Sequence, residues 1–147
     1  MIKVCTIGFT KKTAKQFFSI LTKNNIDTVV DIRLNNSSQL AGFSKYPDIE
    51  FFLEKICNIG YKHDLYFAPK DSTLTRYKKK QISWDEYEKE FAQTMLERKI
   101  TEYIKANYSS GGSICLLCSE PTPENCHRRL VANYFKEIFH EVQIIHL

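Results

Sequence analysis

Short apolar runs alternate with longer amphipathic segments along the chain. The apolar runs predict five strands, at residues 2–7, 27–33, 61–67, 113–118 and 141–147. Between these runs, apolar residues recur at helical spacing, most clearly from Ala14 to Leu21. Regular alternation of strands and helices is typical of a parallel sheet that is covered by helices. We therefore expect a single α/β domain over residues 1–147. Its architecture would be one open, mainly parallel five-stranded sheet with helices on both faces, a Rossmann-like three-layer sandwich.

Helix boundaries follow from capping residues. Ser83 and Glu86 have the spacing of a capping box, and the apolar positions after them predict one long helix that continues through Ile104. In the last helix, Thr122 is a suitable N-cap and Pro123 is a suitable first helical residue. The segment between the third strand and Ser83 has no regular pattern, which is typical of a surface insertion with a short helix.

Composition and charge exclude several classes of protein. Lys and Arg outnumber Asp and Glu by 21 to 17, which gives a net charge of +4 and is too small an excess to indicate nucleic-acid binding. No apolar stretch approaches the roughly 20 residues of a membrane span, and the N-terminus has no signal-peptide pattern. The five cysteines favour reduced thiols and a cytoplasmic location. The basic run from Arg76 to Lys80 is interpreted as a solvated loop, with contact to a polyanion as the alternative.

Polar side chains cluster at one edge of the predicted sheet. In open α/β sheets, ligands bind beyond the carboxyl ends of the strands, so the residues at those ends are candidate site residues. In chain order, these candidates are Gly8, Asp31, Arg33, Ser37, Ser38, Tyr61, His63, Cys118 and Glu120. Their convergence on one edge predicts a functional site there.

The start of the last helix carries two cationic residue types where cations are disfavoured. His127 and Arg128 align with the apolar face of this helix, close to its positive end. A bound anion would resolve the conflict, because helix N-terminal amides and an arginine both favour negative charge. Arg33 could supply a second arginine from the second strand. The alternative is structural, with Arg128 or Arg33 paired to Glu120 or Asp31.

Cysteine and histidine residues near the fourth strand raise two further possibilities. The residues that could be zinc ligands are Cys115, Cys118, Cys126 and His127. However, residues three apart on a strand point to opposite faces, and a helical Cys126 and His127 would splay by about 100°. We therefore expect no metal ion and no cofactor. Cys118 or Cys126 could instead be a reactive thiolate near arginine, or simply a buried core residue.

Three segments resemble the signature blocks of a known family. The domain-of-unknown-function 488 family, small α/β proteins of prokaryotes, has blocks similar to TIGFT, VVDIRLNNSSQLAGFSK and CLLCSEPTPENCHRRLVA. The resemblance implies functional residues at the matching positions, namely Gly8, Asp31, Arg33, Ser38, Phe43, Tyr61, Cys118, Glu120, Cys126, His127 and Arg128. It implies no particular reaction. The stretch after the third strand lacks the Leu-Gly pair of many members, so the resemblance does not define the outer wall of the site.

The leading hypothesis is an enzyme that acts on an anionic ligand, such as a nucleotide, another phosphate-bearing molecule or a nucleic acid. In this hypothesis Arg33 and Arg128 hold the anion, Asp31 or Glu120 transfers protons, and Cys118 is the nucleophile or part of the pocket wall. The ligand-binding set is Gly8, Ser37, Ser38, Phe43, Tyr61, His63, Cys126 and His127. The alternatives are a non-catalytic module that binds nucleotides or nucleic acid, and a structural protein whose polar cluster is a network of salt bridges. We expect no membrane partner.

Overall fold

A five-stranded parallel sheet forms the centre of the protein. The structure is a computed structural model that describes residues 2–37, 42–120 and 122–147. Its strands are β1 (Ile2–Gly8), β2 (Thr28–Asp31), β3 (Gly60–His63), β4 (Gly112–Cys118) and β5 (Val142–His146). They lie in the order β3-β2-β4-β1-β5, and each neighbouring pair is parallel. The predicted parallel five-stranded sheet is confirmed.

Helices connect these strands. The α-helices are α1 (Ala14–Lys23), α2 (Asp48–Phe51), α3 (Asp71–Lys78), α4 (Trp84–Glu97), α5 (Ile100–Asn107) and α6 (His127–Ile138). A π-helical stretch over Phe52–Ile56 continues α2, and two short 3-10 helices occupy Gly42–Ser44 and Leu65–Phe67. Within the described parts of the chain, no helix has the length and apolar character needed to cross a membrane.

The helices cover both faces of the sheet because successive strand residues point to opposite sides. In β1, Val4 packs in one apolar cluster with residues of α4, α5 and α6. Its neighbour Cys5 packs in a second cluster with residues of α1 and α2. Leu116 and Leu117 of β4 divide between the two clusters in the same way. The predicted three-layer sandwich is therefore confirmed.

The strands β2 and β5 end one or two residues earlier than predicted, at Asp31 and His146, and two other elements end earlier by several residues. β3 does not continue to Phe67, because the Asp64 side chain accepts a hydrogen bond from the Tyr66 backbone N–H and starts a tight turn. The helix predicted to run from Ser83 through Ile104 is split into α4 and α5. The break falls at Lys99, whose φ of 52° is left-handed and incompatible with a continuous helix.

The last helix begins later than its local capping signals predict. Its N-cap is Cys126, and helical backbone starts at His127. The residues before it form turns, with the Cys126 backbone N–H donating to the carbonyl oxygen of Pro123. The prediction that Thr122 and Pro123 begin the helix is therefore wrong. Packing of Cys126 and His127 against the end of β4 outweighs the local preference, and it puts His127 and Arg128 in the first turn of α6.

The capping box at the start of α4 is confirmed. Ser83 accepts a hydrogen bond from the Glu86 backbone N–H, and the Glu86 carboxylate accepts one from the Ser83 backbone N–H. We expect Ser83→Ala to lower the free energy of unfolding by about 1 kcal/mol, a typical loss for an N-cap. Ser83→Asn, which keeps a side-chain acceptor, should retain most of the stability. Urea unfolding of the three proteins measures both effects, and equal stability of the Ala and Asn variants would contradict this cap.

Candidate active site

The candidate site lies where the chain leaves the sheet towards opposite faces. β4 lies between β1 and β2, and its last residue, Cys118, pairs in register with Gly8 of β1. After β1 the chain continues to α1 on one face of the sheet, whereas after β4 it continues to α6 on the other face. Such a divergence opens a crevice beyond the strand ends, which is the usual ligand site of an open α/β sheet.

A cavity of about 240 Å³ occupies this crevice. Its inner wall is formed at the strand ends and the start of α6 by Phe9, Arg33, Cys118, Glu120, Cys126 and His127. Its outer wall is formed by α3 and α4 through Leu74, Tyr77, Lys78, Trp84 and Tyr87. The sheet edge predicted to carry a site therefore does border a cavity.

Two thiols and an imidazole meet at the inner wall. Sγ of Cys118 lies 3.5 Å from Nδ1 of His127, and these two atoms and Sγ of Cys126 all lie within 4.8 Å of one another. All three side chains are buried. The other ring nitrogen of His127, Nε2, lies 2.8 Å from the carbonyl oxygen of Ile32. Because a carbonyl oxygen can only accept a hydrogen bond, Nε2 carries a proton and donates it, and Nδ1 faces the sulfurs.

The three groups change one another's pKa. The pKa of Cys118 is well below its usual value, because Cys118 accepts a hydrogen bond from the Cys126 thiol and lies beside His127, and these effects outweigh burial. The pKa of Cys126 is raised, because its thiol proton is held by Cys118 and the thiol is buried. Burial lowers the pKa of His127, but the neighbouring charge of Cys118 outweighs burial and raises it overall. The cluster thus favours negative charge on Cys118.

Arg128 and Gly8 fix the loop that follows β4. Arg128 is fully buried, Nη1 of its guanidinium donates to the carbonyl oxygen of Glu120, and its Nε lies 3.3 Å from the Thr6 hydroxyl. Gly8 leaves the space for this contact. A Cβ at Gly8 would lie 1.6 Å from the Glu120 carbonyl oxygen and 2.7 Å from Nη1 of Arg128. Arg128 therefore acts on the cavity through the backbone of Glu120.

Asp31 and Arg33 form a buried ion pair beside the cavity. Nε and Nη2 of Arg33 donate to the two carboxylate oxygens of Asp31 at 2.8 and 2.7 Å, and the Tyr61 hydroxyl donates to the same carboxylate at 2.6 Å. Nη2 also donates to the carbonyl oxygen of Ser44. Burial lowers the pKa of Arg33, but its bonds and attraction to Asp31 outweigh burial and raise it overall. Within the described residues no group accepts from Nη1, so this edge of Arg33 is free to contact a ligand.

The structure brings most of the predicted site residues together. Those that line the cavity are Arg33, Cys118, Glu120, Cys126 and His127. Those that contact or stabilise these lining residues without lining the cavity themselves are Gly8, Asp31, Tyr61, His63 and Arg128. Phe43 instead packs against Phe17 and Phe18 in the core on the other face of the sheet. Ser37 is exposed, and Ser38 lies outside the described residues.

The two arginines that were predicted to hold an anion, Arg33 and Arg128, occupy different environments. Arg33 lines the cavity, and it is also paired with Asp31, which was the structural alternative. Arg128 does not line the cavity, and it contacts the backbone of Glu120 instead of the carboxylate. His127 and Arg128 are both buried, as their helical positions predict.

The sequence patterns do not point to the outer wall of the cavity. Tyr77 lies in a segment without a regular pattern, and Trp84 lies in an apolar helical stripe. Their ring centroids are nevertheless 5.6 Å apart, and both side chains line the cavity. Trp84 also stacks on Tyr87, with ring centroids 4.9 Å apart. The only sequence signal was the density of aromatic residues on both sides of Ser83. The folding of α3 back over the strand ends is a tertiary feature that this signal does not encode.

The cysteine–histidine cluster has donors that could hold a metal ion. Two thiolates and an imidazole nitrogen are common zinc ligands, and they converge here. Cys115 cannot join them, because it lies in the core on the opposite face, as its strand position predicts. The expected splay of Cys126 and His127 does not occur, because Cys126 lies before the helix in an extended conformation (φ −137°, ψ 137°).

Taken together, the fold and the cavity define an α/β protein with a thiol–imidazole centre at the carboxyl edge of a parallel sheet. The chain belongs to the family described as "Domain of unknown function DUF488", whose family model matches residues 13–135. The family resemblance of the sequence is thereby confirmed. Comparisons with curated proteins and with solved structures found no match.

Proposed function

We propose that the protein is an enzyme that acts on a small anionic substrate with a flat ring, such as a nucleotide, bound in the cavity. The observation that carries the proposal is the convergence of Cys118, Cys126 and His127 in the wall of a cavity. Buried nucleophilic and basic groups that meet at a cavity are typical of catalytic centres. The reaction takes place at this cluster, and Glu120 is the proton-transferring group.

The aromatic outer wall supports a substrate with a flat ring. Tyr77, Trp84 and Tyr87 all line the cavity, and aromatic side chains bind planar rings such as nucleobases by stacking. The volume of about 240 Å³ lies just below the range of roughly 300–1,000 Å³ for sites of drug-sized ligands. A cavity of this size favours a mononucleotide or a smaller molecule over a polymer.

The charge of the cavity supports an anion. Arg33 and Lys78 line it, and Glu120 is the one acidic residue among its described lining residues. The free Nη1 of Arg33 and the exposed ammonium group of Lys78 could bind a phosphate or a carboxylate.

The basic run from Arg76 to Lys80 forms the end of α3 and the turn after it instead of the predicted loop, and it gives little support to the alternative of a nucleic-acid-binding module. Arg76 is paired with Glu90, and Lys78 belongs to the cavity. This leaves Lys79 and Lys80 as the exposed members of the run that do not line the cavity. We also propose a cytoplasmic location, which is supported by the five unpaired cysteines.

The single tryptophan of the chain gives a direct binding test. Because Trp84 lines the cavity, intrinsic tryptophan fluorescence responds to a ligand bound there. We expect mononucleotides to change this fluorescence and sugar phosphates to do so weakly. Lys78→Ala should weaken the binding of a mononucleotide by about two- to fivefold, the usual size of an exposed charge interaction. Lys79→Ala, one residue further along and outside the cavity, is the matched control and should bind normally.

Two results would count against this assignment. If no mononucleotide, nucleoside or sugar phosphate altered the fluorescence, the substrate class would be wrong. If ligands bound but were recovered chemically unchanged, the protein would be a binding module instead of an enzyme. Where turnover is found, Cys118→Ala should abolish it.

A further inference from the structure

We propose that Cys118, Cys126 and His127 form a binding site for a single zinc-class divalent ion, with a fourth coordination position open to the cavity. This inference deepens the proposed function, and it rests on that function only for the use of the fourth position. The binding of the ion itself follows from the geometry, orientation and charge of the three side chains.

The spacing of the three donor atoms suits a tetrahedral ion. Zinc lies about 2.3 Å from a thiolate sulfur and about 2.0–2.1 Å from an imidazole nitrogen, so two such ligands at tetrahedral angles are roughly 3.5–3.8 Å apart. Sγ of Cys118 and Nδ1 of His127 are 3.5 Å apart. Sγ of Cys126 lies within 4.8 Å of both. A small adjustment of the three side chains would therefore bring all three donor atoms to bonding distance from a single ion.

The imidazole of His127 is oriented as a metal ligand requires. Its Nε2–H donates to the carbonyl oxygen of Ile32 at 2.8 Å, which leaves the lone pair of Nδ1 directed towards the two sulfurs. Metal-binding histidines almost always donate their second ring N–H to a carbonyl or carboxylate, because this bond fixes the tautomer and the ring. The two sulfurs are fixed in turn by elements of the fold. Cys118 is the last residue of β4, and Cys126 is the N-cap of α6.

Charge balance and donor type both favour a zinc-class ion. Two thiolates and one neutral imidazole neutralise a divalent cation, so the buried complex carries no net charge. Sulfur and imidazole ligands select zinc and similar metals over calcium and magnesium, which prefer oxygen. The relevant ligand pattern is Cys118 and Cys126 followed directly by His127. It is not the Cys115–Cys118 pair, because Cys115 lies on the opposite face of the sheet.

Three protein ligands and an accessible fourth position are typical of catalytic zinc. All three residues line the cavity, so a water molecule or a substrate atom could occupy that position. A bound ion would polarise the substrate or lower the pKa of a bound water. Cys118 would then be a ligand instead of a free nucleophile. Glu120, which lines the same cavity, could accept the proton of that water.

Cobalt substitution tests the site on the full chain. We would remove metal from the reduced protein with a chelator and titrate the apo protein with Co²⁺. We expect one equivalent to bind, with a near-ultraviolet sulfur-to-cobalt charge-transfer band and the visible bands of tetrahedral cobalt, and Zn²⁺ should displace it. Cys118→Ser and Cys126→Ser should each lose these bands. Cys57→Ser is the control with normal bands, because Cys57 is half-buried and packs with the other core.

Thermal unfolding separates loss of the ligand from loss of the fold. Zn²⁺ should raise the melting temperature of the wild type and of Cys57→Ser, and leave that of Cys118→Ser unchanged. If a serine variant fails to fold, the spectra of the wild type and of Cys57→Ser decide together. The charge-transfer band requires sulfur ligands, its retention in Cys57→Ser excludes Cys57, and Cys5 and Cys115 are fully buried in the other core. A wild type that binds less than one equivalent, or serine variants with unchanged bands, would overturn the metal site.

The two proposals can fail separately. Trp84 fluorescence that responds to nucleotides in a protein without cobalt bands would reject the metal site and leave the proposed substrate class in place. Cobalt bands in a protein whose fluorescence responds to no ligand would retain the metal site and reject the proposed substrate class.

Discussion

The Gly8→Ala variant is expected to lose stability and all binding at the cavity. A Cβ at this position would lie 1.6 Å from the carbonyl oxygen of Glu120 and 2.7 Å from the guanidinium of Arg128. Neither neighbour can yield easily, because one is backbone and the other is fully buried. Overpacking typically costs about 1–3 kcal/mol, and a backbone clash of this severity should reach the upper end of that range or exceed it. The loop after Cys118 must move, and the cavity wall moves with it.

Gly42→Ala is the matched control for this variant. A Cβ at Gly42 would meet no atom of the described residues within 4 Å, so the change should be close to neutral. The free energy of unfolding from urea titration and the cobalt spectrum of each variant measure the two effects. A folded Gly8→Ala protein with a normal cobalt spectrum would show that the loop tolerates the methyl group, and that the close approach of Gly8 to Glu120 is not required.

Gly8 illustrates what sequence reasoning can and cannot reach. Its position at the end of β1 is predicted by the apolar run before it, because strand periodicity is a local property of the chain. Its role is not predicted. Gly8 is needed because a loop more than a hundred residues later in the chain passes directly beside it, and that contact depends on β1 and β4 being neighbours.

The same distinction applies to the site as a whole. The strand ends predict the inner wall, including Arg33 and Cys118, because parallel strands end at a common edge. The start of α6 was predicted wrongly, at Thr122. Because this error made Cys126 helical, it also led to the expectation that the Cys126 sulfur points away from His127, which counted against a zinc site. An N-cap Cys126 can present its sulfur beside His127, whereas a helical one would turn away from it. Tertiary packing decided this boundary, and local capping preferences could not show it.

The outer wall was beyond sequence reasoning for a different reason. The helix α3 is short and polar, and it is held over the cavity by contacts with α4. Arg76 and Thr73 both bind Glu90 of α4, and Tyr77 packs against Trp84. Each of these contacts joins two separate helices, so no periodicity within either helix reveals it.

The Asp31→Asn variant is expected to lose about 3–5 kcal/mol of unfolding free energy, the typical result of breaking a buried ion pair. Asp31 is fully buried and Arg33 is only 6% exposed. Without the carboxylate charge, the guanidinium of Arg33 stays buried without compensation, and the Tyr61 hydroxyl loses a charged acceptor. Because Arg33 lines the cavity, we also expect weaker ligand binding in the Trp84 fluorescence assay, even where the variant remains folded.

A double variant tests whether the stability lost in Asp31→Asn comes from the unpaired charge of Arg33. In Asp31→Leu/Arg33→Met both charges are replaced by apolar groups, so most of the stability lost in Asp31→Asn should return. Ligand binding should not return, because the arginine is absent. Glu97→Gln, which breaks the exposed pair with Lys70, is the surface control and should change stability little. Urea unfolding of all three proteins measures these differences. If the double variant were as unstable as Asp31→Asn, the lost stability would come from the hydrogen bonds that Asp31 and Arg33 make to their surroundings, and not from a buried, unpaired charge. These bonds join the Asp31 carboxylate to Tyr61 and the Arg33 backbone N–H, and the Arg33 side chain to the Ser44 carbonyl oxygen.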